Sequence, residues 1–261
     1  MNTDRNLFRR RAIAIAAFAL LGAAAIAPQR AEAGEPRAVI ELFTSQGCSS
    51  CPAADRLLGE LARDSSLVTL TLPVDYWDYL GWKDTLALHG NTNRQRAYSL
   101  ARGDRAVYTP QVVVNGVVHV LGSDKAAIER AIAQTRNKAA MLRLPVRMTV
   151  ADGTVTVRLP AADVPPDGGA EVWLCPITGN APVQIGRGEN RGRMIVYHNV
   201  VRRWIKLGEW TGKAETFTLP LSALAVGEVT LKDIDAVAAV VQDGASSKPG
   251  LMLGASTVAL K

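Results

Sequence analysis

The residues best suited to chemistry are Cys48 and Cys51, spaced Cys-Ser-Ser-Cys and followed at once by Pro52. Three uses fit such a pair: a redox couple, half of a metal site, or a structural staple. A staple this short is inefficient, because a small ring removes little loop entropy from the unfolded chain. A zinc site needs about four ligands, or three and a water. The remaining candidates are Cys175, His89, His119 and His198, none of them in a second paired motif. Two thiolates alone would suit copper(I), which keeps a metallochaperone reading open. Redox exchange needs a thiolate, and a cysteine at a helix N-terminus is acidified by unpaired backbone N–H groups and the helix dipole.

The flanking sequence supplies that helix. Ala38–Thr44 reads as a largely buried strand, and Ala54, Leu57, Leu58, Leu61 and Ala62 then recur at helical spacing. Pro52 suits the first turn, where its missing N–H costs nothing, so a helix beginning at or beside Cys51 is expected. Cys48 would then be the outer, attacking thiol and Cys51 the inner, resolving one. This reading requires that the Cys48 sulfur reach water and substrate.

Val68, Leu70, Leu72 and Val74 alternate as a second strand. Residues 75–108, rich in Tyr, Trp and Arg, read as a helical insertion. Gln111–Val114 and Val117–Leu121 flank Asn115-Gly116, a strong hairpin signal. Ser123 or Asp124 would cap a further helix whose apolar stripe is Ala127, Ile128, Ala131 and Ile132. Strand, helix, strand, hairpin, helix is a thioredoxin-like order. After Pro145 short strands alternate with turns, as in a β-sandwich. The expected fold is therefore an α/β thioredoxin-like N-terminal domain over 34–144, followed by an all-β, sandwich-like C-terminal domain over 145–261.

The first 33 residues read as a leader. Arg5, Arg9, Arg10 and Arg11 precede the apolar run Ala12–Ala27, and Ala31-Glu32-Ala33 offers a cleavage site. The expectation is export to the periplasm or outside the cell, with no stable membrane span after cleavage, where disulfides persist; a retained membrane anchor is the alternative. The chain of 261 residues less this leader leaves 228. The leader carries five Arg, one Asp and one Glu, so the net charge falls from +6 to +3. That balance, with no basic block interleaved with aromatics, argues against nucleic-acid binding. The 48% hydrophobic content suffices for an ordinary core.

The stretches ELFTSQGCSSCPAAD, VDYWDYLGWKD, RQRAY, VYTPQVVVNG and GRGENRGRMIVYHNVVR resemble the DUF1223 family of exported bacterial proteins. The resemblance implies a thioredoxin-like domain with an all-β C-terminal part. In thioredoxin-like folds the proline at the position of Pro110 is cis and faces the cysteines, and the residue before it, here Thr109, pairs with substrate backbone. Gly47 stands where thioredoxin has tryptophan, and Ser49-Ser50 where it has Gly-Pro, so thioredoxin's reducing role does not transfer.

Asp75, Trp77 and Trp82 are candidates for a substrate rim, although the aromatics equally suit packing of the insertion. Arg94, Arg96 and Arg105 fit a solvated helix face. Gly186-Arg187-Gly188-Glu189-Asn190 reads as a hairpin turn, with a domain-interface or ligand role the alternative implied by its resemblance to the family motif, and Cys175 reads as a buried free thiol. The function expected is a thiol–disulfide oxidoreductase acting on protein thiols or disulfides, with or without a dedicated redox partner protein. It needs no soluble cofactor, because the cysteines carry the electrons. The alternatives are a copper(I)-binding module and a non-catalytic binding protein.

Overall fold

A computed structural model describes residues 35–163 and 169–261. The leader expected over residues 1–33 lies outside them. The elements run β1 (Ala38–Thr44), α1 (Cys51–Leu61), β2 (Leu67–Pro73), α2 (His89–Arg102), β3 (Gln111–Val114), β4 (Val118–Leu121), α3 (Lys125–Arg136), then eight further strands. These are β5 (Arg147–Ala151), β6 (Thr154–Leu159), β7 (Ala170–Gln184), β8 (Met194–Val201), β9 (Ile205–Trp210), β10 (Glu215–Pro220), β11 (Ala236–Ala245) and β12 (Lys248–Ala259).

Local chemistry explains the early boundaries. Pro52 lies in the first turn of α1. Asn115 and Gly116 both take positive φ in the β3–β4 turn, as a tight hairpin needs. Asp124 caps α3 by accepting from the Ala127 N–H at 2.8 Å.

The expected fold class is not what forms. The protein is mostly β, 41% strand against 21% helix, and has one large mixed sheet in place of an α/β thioredoxin-like domain. Nine strands join in the order β12-β11-β7-β8-β2-β1-β3-β4, with β9 paired to β7. The seam is parallel pairing of β2 with β8 at Thr71 and Val200. Most strands assigned to a separate sandwich therefore extend the sheet begun by β1 and β2. Only β10, β6 and β5 form a second sheet, of three strands.

Side-chain alternation divides the core. Ile40 and Leu42 of β1 pack with Leu57 and Leu58 of α1 and Ile128 and Ile132 of α3. Val39 and Phe43 face the other way, toward Tyr98 of α2 and Val240 of β11. A further core lies among Val172 and Leu174 of β7, Val155 and Val157 of β6, and Trp210.

A buried polar network ties the early strands to the late ones. Arg94 Nε donates to Glu41 Oε1 at 2.6 Å, and Arg94 Nη2 donates to Gln242 Oε1 at 2.8 Å. Tyr98 Oη donates to Glu41 Oε2 at 2.5 Å. Glu41 and Gln242 come from β1 and β11, while Arg94 and Tyr98 come from α2. Arg94 was expected on a solvated face and is instead buried, whereas Arg96 and Arg105 are exposed. Its charge is held by Glu41, a partner 53 residues away that helical periodicity does not reveal. Burial would lower the Arg94 pKa, but Glu41 overcomes that and holds it above its usual value.

Candidate functional site

Cys48 and Cys51 are joined as a disulfide, with Cα atoms 5.4 Å apart. Two successive turns present them: the Cys48 N–H donates to Ser45 O, and the Cys51 N–H donates to Cys48 O, each at 3.2 Å. Helix α1 begins at Cys51. The residue before it, Ser50, makes no side-chain cap, and the first turn holds no acidic residue. No side chain of α1 itself therefore competes with the cysteine sulfurs for the positive end of the helix.

The sulfurs are not open to water. Cys48 is 1% exposed and Cys51 0%, while Ser49 and Ser50 between them are exposed. The expected outer nucleophile is thus covered. Two segments close over this loop. One is the turn between β7 and β8, here called the strap, residues 185–193. Its Asn190 is fully buried, and Asn190 Nδ2 donates to Gln46 O at 2.9 Å and to Cys48 O at 2.8 Å. Glu189 Oε2 accepts from the Ser49 N–H at 3.3 Å.

The other segment follows β2. Trp77 Nε1 donates to Thr109 Oγ1 at 2.8 Å, and Trp77 packs on Gly47. Trp82 Nε1 donates to Gln46 Oε1 at 2.8 Å. Trp82 also fixes the strap: a Cβ at Gly186 would lie 2.9 Å from Trp82 Cζ3, so only glycine fits without movement. Asp84 Oδ2 accepts from the Gln46 N–H at 2.8 Å.

The Thr109–Pro110 peptide is cis. Pro110 is buried, and both Pro110 and Ala54 of α1 border Gly122. Cys48, Cys51, Thr109, Pro110, Trp77 and Trp82 therefore gather around the amino end of α1. Asp75 does not join them. It accepts from Thr92 Oγ1 at 2.5 Å and pairs with His89 Nδ1 at 2.8 Å, anchoring the first turn of α2.

Beneath the pair lies buried titratable chemistry that sequence reading missed. Asp55, four residues beyond Cys51, accepts from Thr44 Oγ1 at 2.7 Å, while its Oδ2 has no hydrogen-bond partner. Burial pushes its pKa up to about 8, opposed by the Thr44 bond and reinforced by Asp84. Burial likewise raises Asp84 to about 6 against the backbone N–H groups that favour its anion. Tyr197 Oη is buried without a partner, and burial followed by Asp55 and Asp84 raises its pKa. A polar residue at an otherwise apolar helix face was the available signal for Asp55. The motif at residues 186–190 was the available signal for Asn190, and no local signal marked Gln46 or Asp84. Cys175 is free and buried, as expected.

Among the described residues no helix is long and apolar enough to cross a membrane. Comparison with curated proteins gives no match. A protein of Agrobacterium tumefaciens whose X-ray crystal structure is solved is 34% identical. The alignment covers 85% of this chain and 94% of that one, with a TM-score of 0.74. The profile of the family described as "Protein of unknown function (DUF1223)" matches residues 39–242. Over most of its length, then, the sequence carries that family's pattern, and the chain belongs to the DUF1223 family.

Proposed function

We propose that Cys48–Cys51 is a redox-active pair and that the protein is a thiol–disulfide oxidoreductase of an exported compartment, acting on protein thiols or disulfides. The observation that carries this reading is the position of the disulfide. It sits at the N-terminus of α1, on a loop that Trp77 ties to Thr109 by bonding its hydroxyl and packing on Gly47. In one direction a partner thiolate attacks Cys48 Sγ. The Cys48–Cys51 bond breaks, Cys51 leaves as a thiolate, and a mixed disulfide forms. A second partner thiolate then attacks the partner sulfur of that mixed disulfide and releases Cys48. The partner dithiol is oxidised by two electrons and the pair is reduced by two. Amides at the start of α1 would stabilise the thiolates at each stage.

With Cys48 at 1% exposure, attack requires the strap or the Trp77 segment to move first. That same burial favours a second reading, in which the disulfide is a sealed structural link that orders the loop.

The deciding experiment measures the pair's reduction potential alongside exchange activity of wild type, Cys48→Ser and Cys51→Ser. The oxidoreductase reading expects a potential above about −300 mV, where glutathione-type couples can act. It also expects no exchange from Cys48→Ser and trapped mixed disulfides from Cys51→Ser. Full exchange by Cys48→Ser overturns it, and a potential far below that limit favours the structural link.

A further inference from the structure

Strand β8 has an open edge where it passes α1. Its ladder to β7 runs from Met194 to Val201, but on its other side β2 joins only at Val200. Two hydrogen bonds fix which backbone groups face outward. Arg193 C=O accepts from the Ile185 N–H at 2.9 Å, so residue 193 bonds toward the β7 side. His198 C=O accepts from Thr71 Oγ1 at 2.5 Å, so residue 198 points away from β7. In an antiparallel ladder the N–H and C=O of one residue point the same way, and direction alternates along the strand. Met194 and Val196 therefore present both backbone groups to the open edge.

The side chains fit a docking role. Met194 is 60% and Val196 40% exposed, while Ile195 and Tyr197 between them are buried. A groove of about 490 Å³ runs here between Pro52 and Arg56 of α1 and Arg193, Met194, Val196 and His198. Its permanent charges are Arg56 and Arg193, both exposed, and no carboxylate is among the described residues that line it. On the adjoining strap Arg187 and Arg191 are exposed, and so is Glu189, which is engaged with the Ser49 N–H.

We propose that this edge docks an extended polypeptide segment bearing acidic side chains. The segment adds to the sheet as a strand. Its backbone pairs with Met194 and Val196, its apolar side chains cover those two residues, and its carboxylates meet Arg56 and Arg193. Docking is non-covalent and does not rest on the exchange chemistry, although Pro52 places the groove one residue beyond Cys51.

The test uses the full chain and three synthetic peptides of about ten residues, a strand's usual length or slightly more. The first alternates Val and Thr with two Glu in outward positions. The second has Lys for Glu. The third repeats the first with N-methyl groups on alternate amides. Binding is read by fluorescence anisotropy and by amide chemical shifts. The Glu peptide is expected to bind and to shift Met194 and Val196, with the Lys and N-methyl peptides weaker by about tenfold or more. Arg56→Glu, an exposed change, is expected to weaken the Glu peptide by a similar factor. The double variant Cys48→Ser/Cys51→Ser is expected to bind as wild type, which separates docking from redox activity. Failure of the Glu peptide to bind at millimolar concentration overturns the proposal. So do equal binding of the N-methyl or Lys peptide, indifference to Arg56→Glu, and shifts confined to another surface.

Discussion

Asn190 reaches across 142 positions of sequence to donate its side-chain amide to the backbone carbonyl of Cys48 at 2.8 Å. The same nitrogen also serves Gln46 O, so one residue of the strap closes the loop that bears the disulfide. Asn190→Ala leaves two buried carbonyls without that donor, at a cost of about 1–3 kcal/mol. The loop then opens more often. Reduction of the oxidised protein by dithiothreitol, followed by stopped flow, is expected to accelerate by about tenfold, the equivalent of about 1.4 kcal/mol. An unchanged rate would mean that the strap does not govern access to the sulfurs.

Asp55 makes stability depend on pH. Its carboxyl is buried in the folded chain with pKa about 8, against an ordinary value near 3.8 once unfolded. Between those values the folded state holds a proton that the unfolded state has released. Stability therefore falls as pH rises from about 4 to about 8, and its contribution levels off above that. Asp84 acts with the same sign but is finished by about 6. From pH 6 to pH 8 the slope belongs mainly to Asp55. Wild type is expected to lose about 2 kcal/mol across that interval, and Asp55→Asn to lose distinctly less. Urea unfolding of both oxidised proteins at the two pH values measures the difference. Parallel losses would show that Asp55 is ionised in the folded protein.

Those two residues mark the limit of what sequence alone conveys. Pro52, Asn115-Gly116 and Asp124 act within a few positions, so α1, the β3–β4 hairpin and the cap of α3 were legible. The cysteine pair was legible for the same reason. Strand β9 carries a weak sequence signal, because Gly208 interrupts a short run beside a register shift in its pairing with β7. The pairing of β2 with β8 joins residues 129 positions apart, and alternation identifies a strand without naming its neighbour. That is why strands of one continuous sheet are assigned to two fold types, one thioredoxin-like and one sandwich-like. Asn190 looked like a turn residue, which it also is. Its second role depends on the fold bringing Gln46 and Cys48 to it.

The buried network around Arg94 ties β1 to β11 through α2 and predicts a weak point there. Removing Arg94 leaves Glu41, 0% exposed, without its ion-pair partner. Arg94→Met is expected to cost about 3–5 kcal/mol, the usual penalty for an orphaned buried charge. The double variant Glu41→Leu/Arg94→Met removes both charges and is expected to recover much of the loss. Denaturant unfolding of the two variants and of Glu41→Leu completes the cycle. If the double variant is no more stable than Arg94→Met, the damage comes from lost packing on Tyr98 and Trp204, which the Arg94 guanidinium overlies at 4.9 and 4.3 Å.

Gly122 holds the proline loop against α1. A Cβ at this position would come within 2.8 Å of Leu42 Cδ1, 3.1 Å of Pro110 Cβ and 3.2 Å of Ala54 Cβ. The Leu42 methyl can turn aside, but Pro110 is fixed by its ring and Ala54 by its helix. Gly122→Ala must therefore wedge the loop away from the helix that carries Cys51, at about 1–3 kcal/mol as for other overpacked sites. If Cys48–Cys51 exchanges thiols while seated beside Pro110, the wedge is expected to slow exchange with a peptide substrate by about tenfold. Reduction by dithiothreitol, which needs no seat on the loop, is expected to slow less. Measuring both rates and the thermal midpoint separates the cases. Equal slowing of the two would point to a distorted disulfide, and unchanged rates with lowered stability would leave Pro110 a packing role alone.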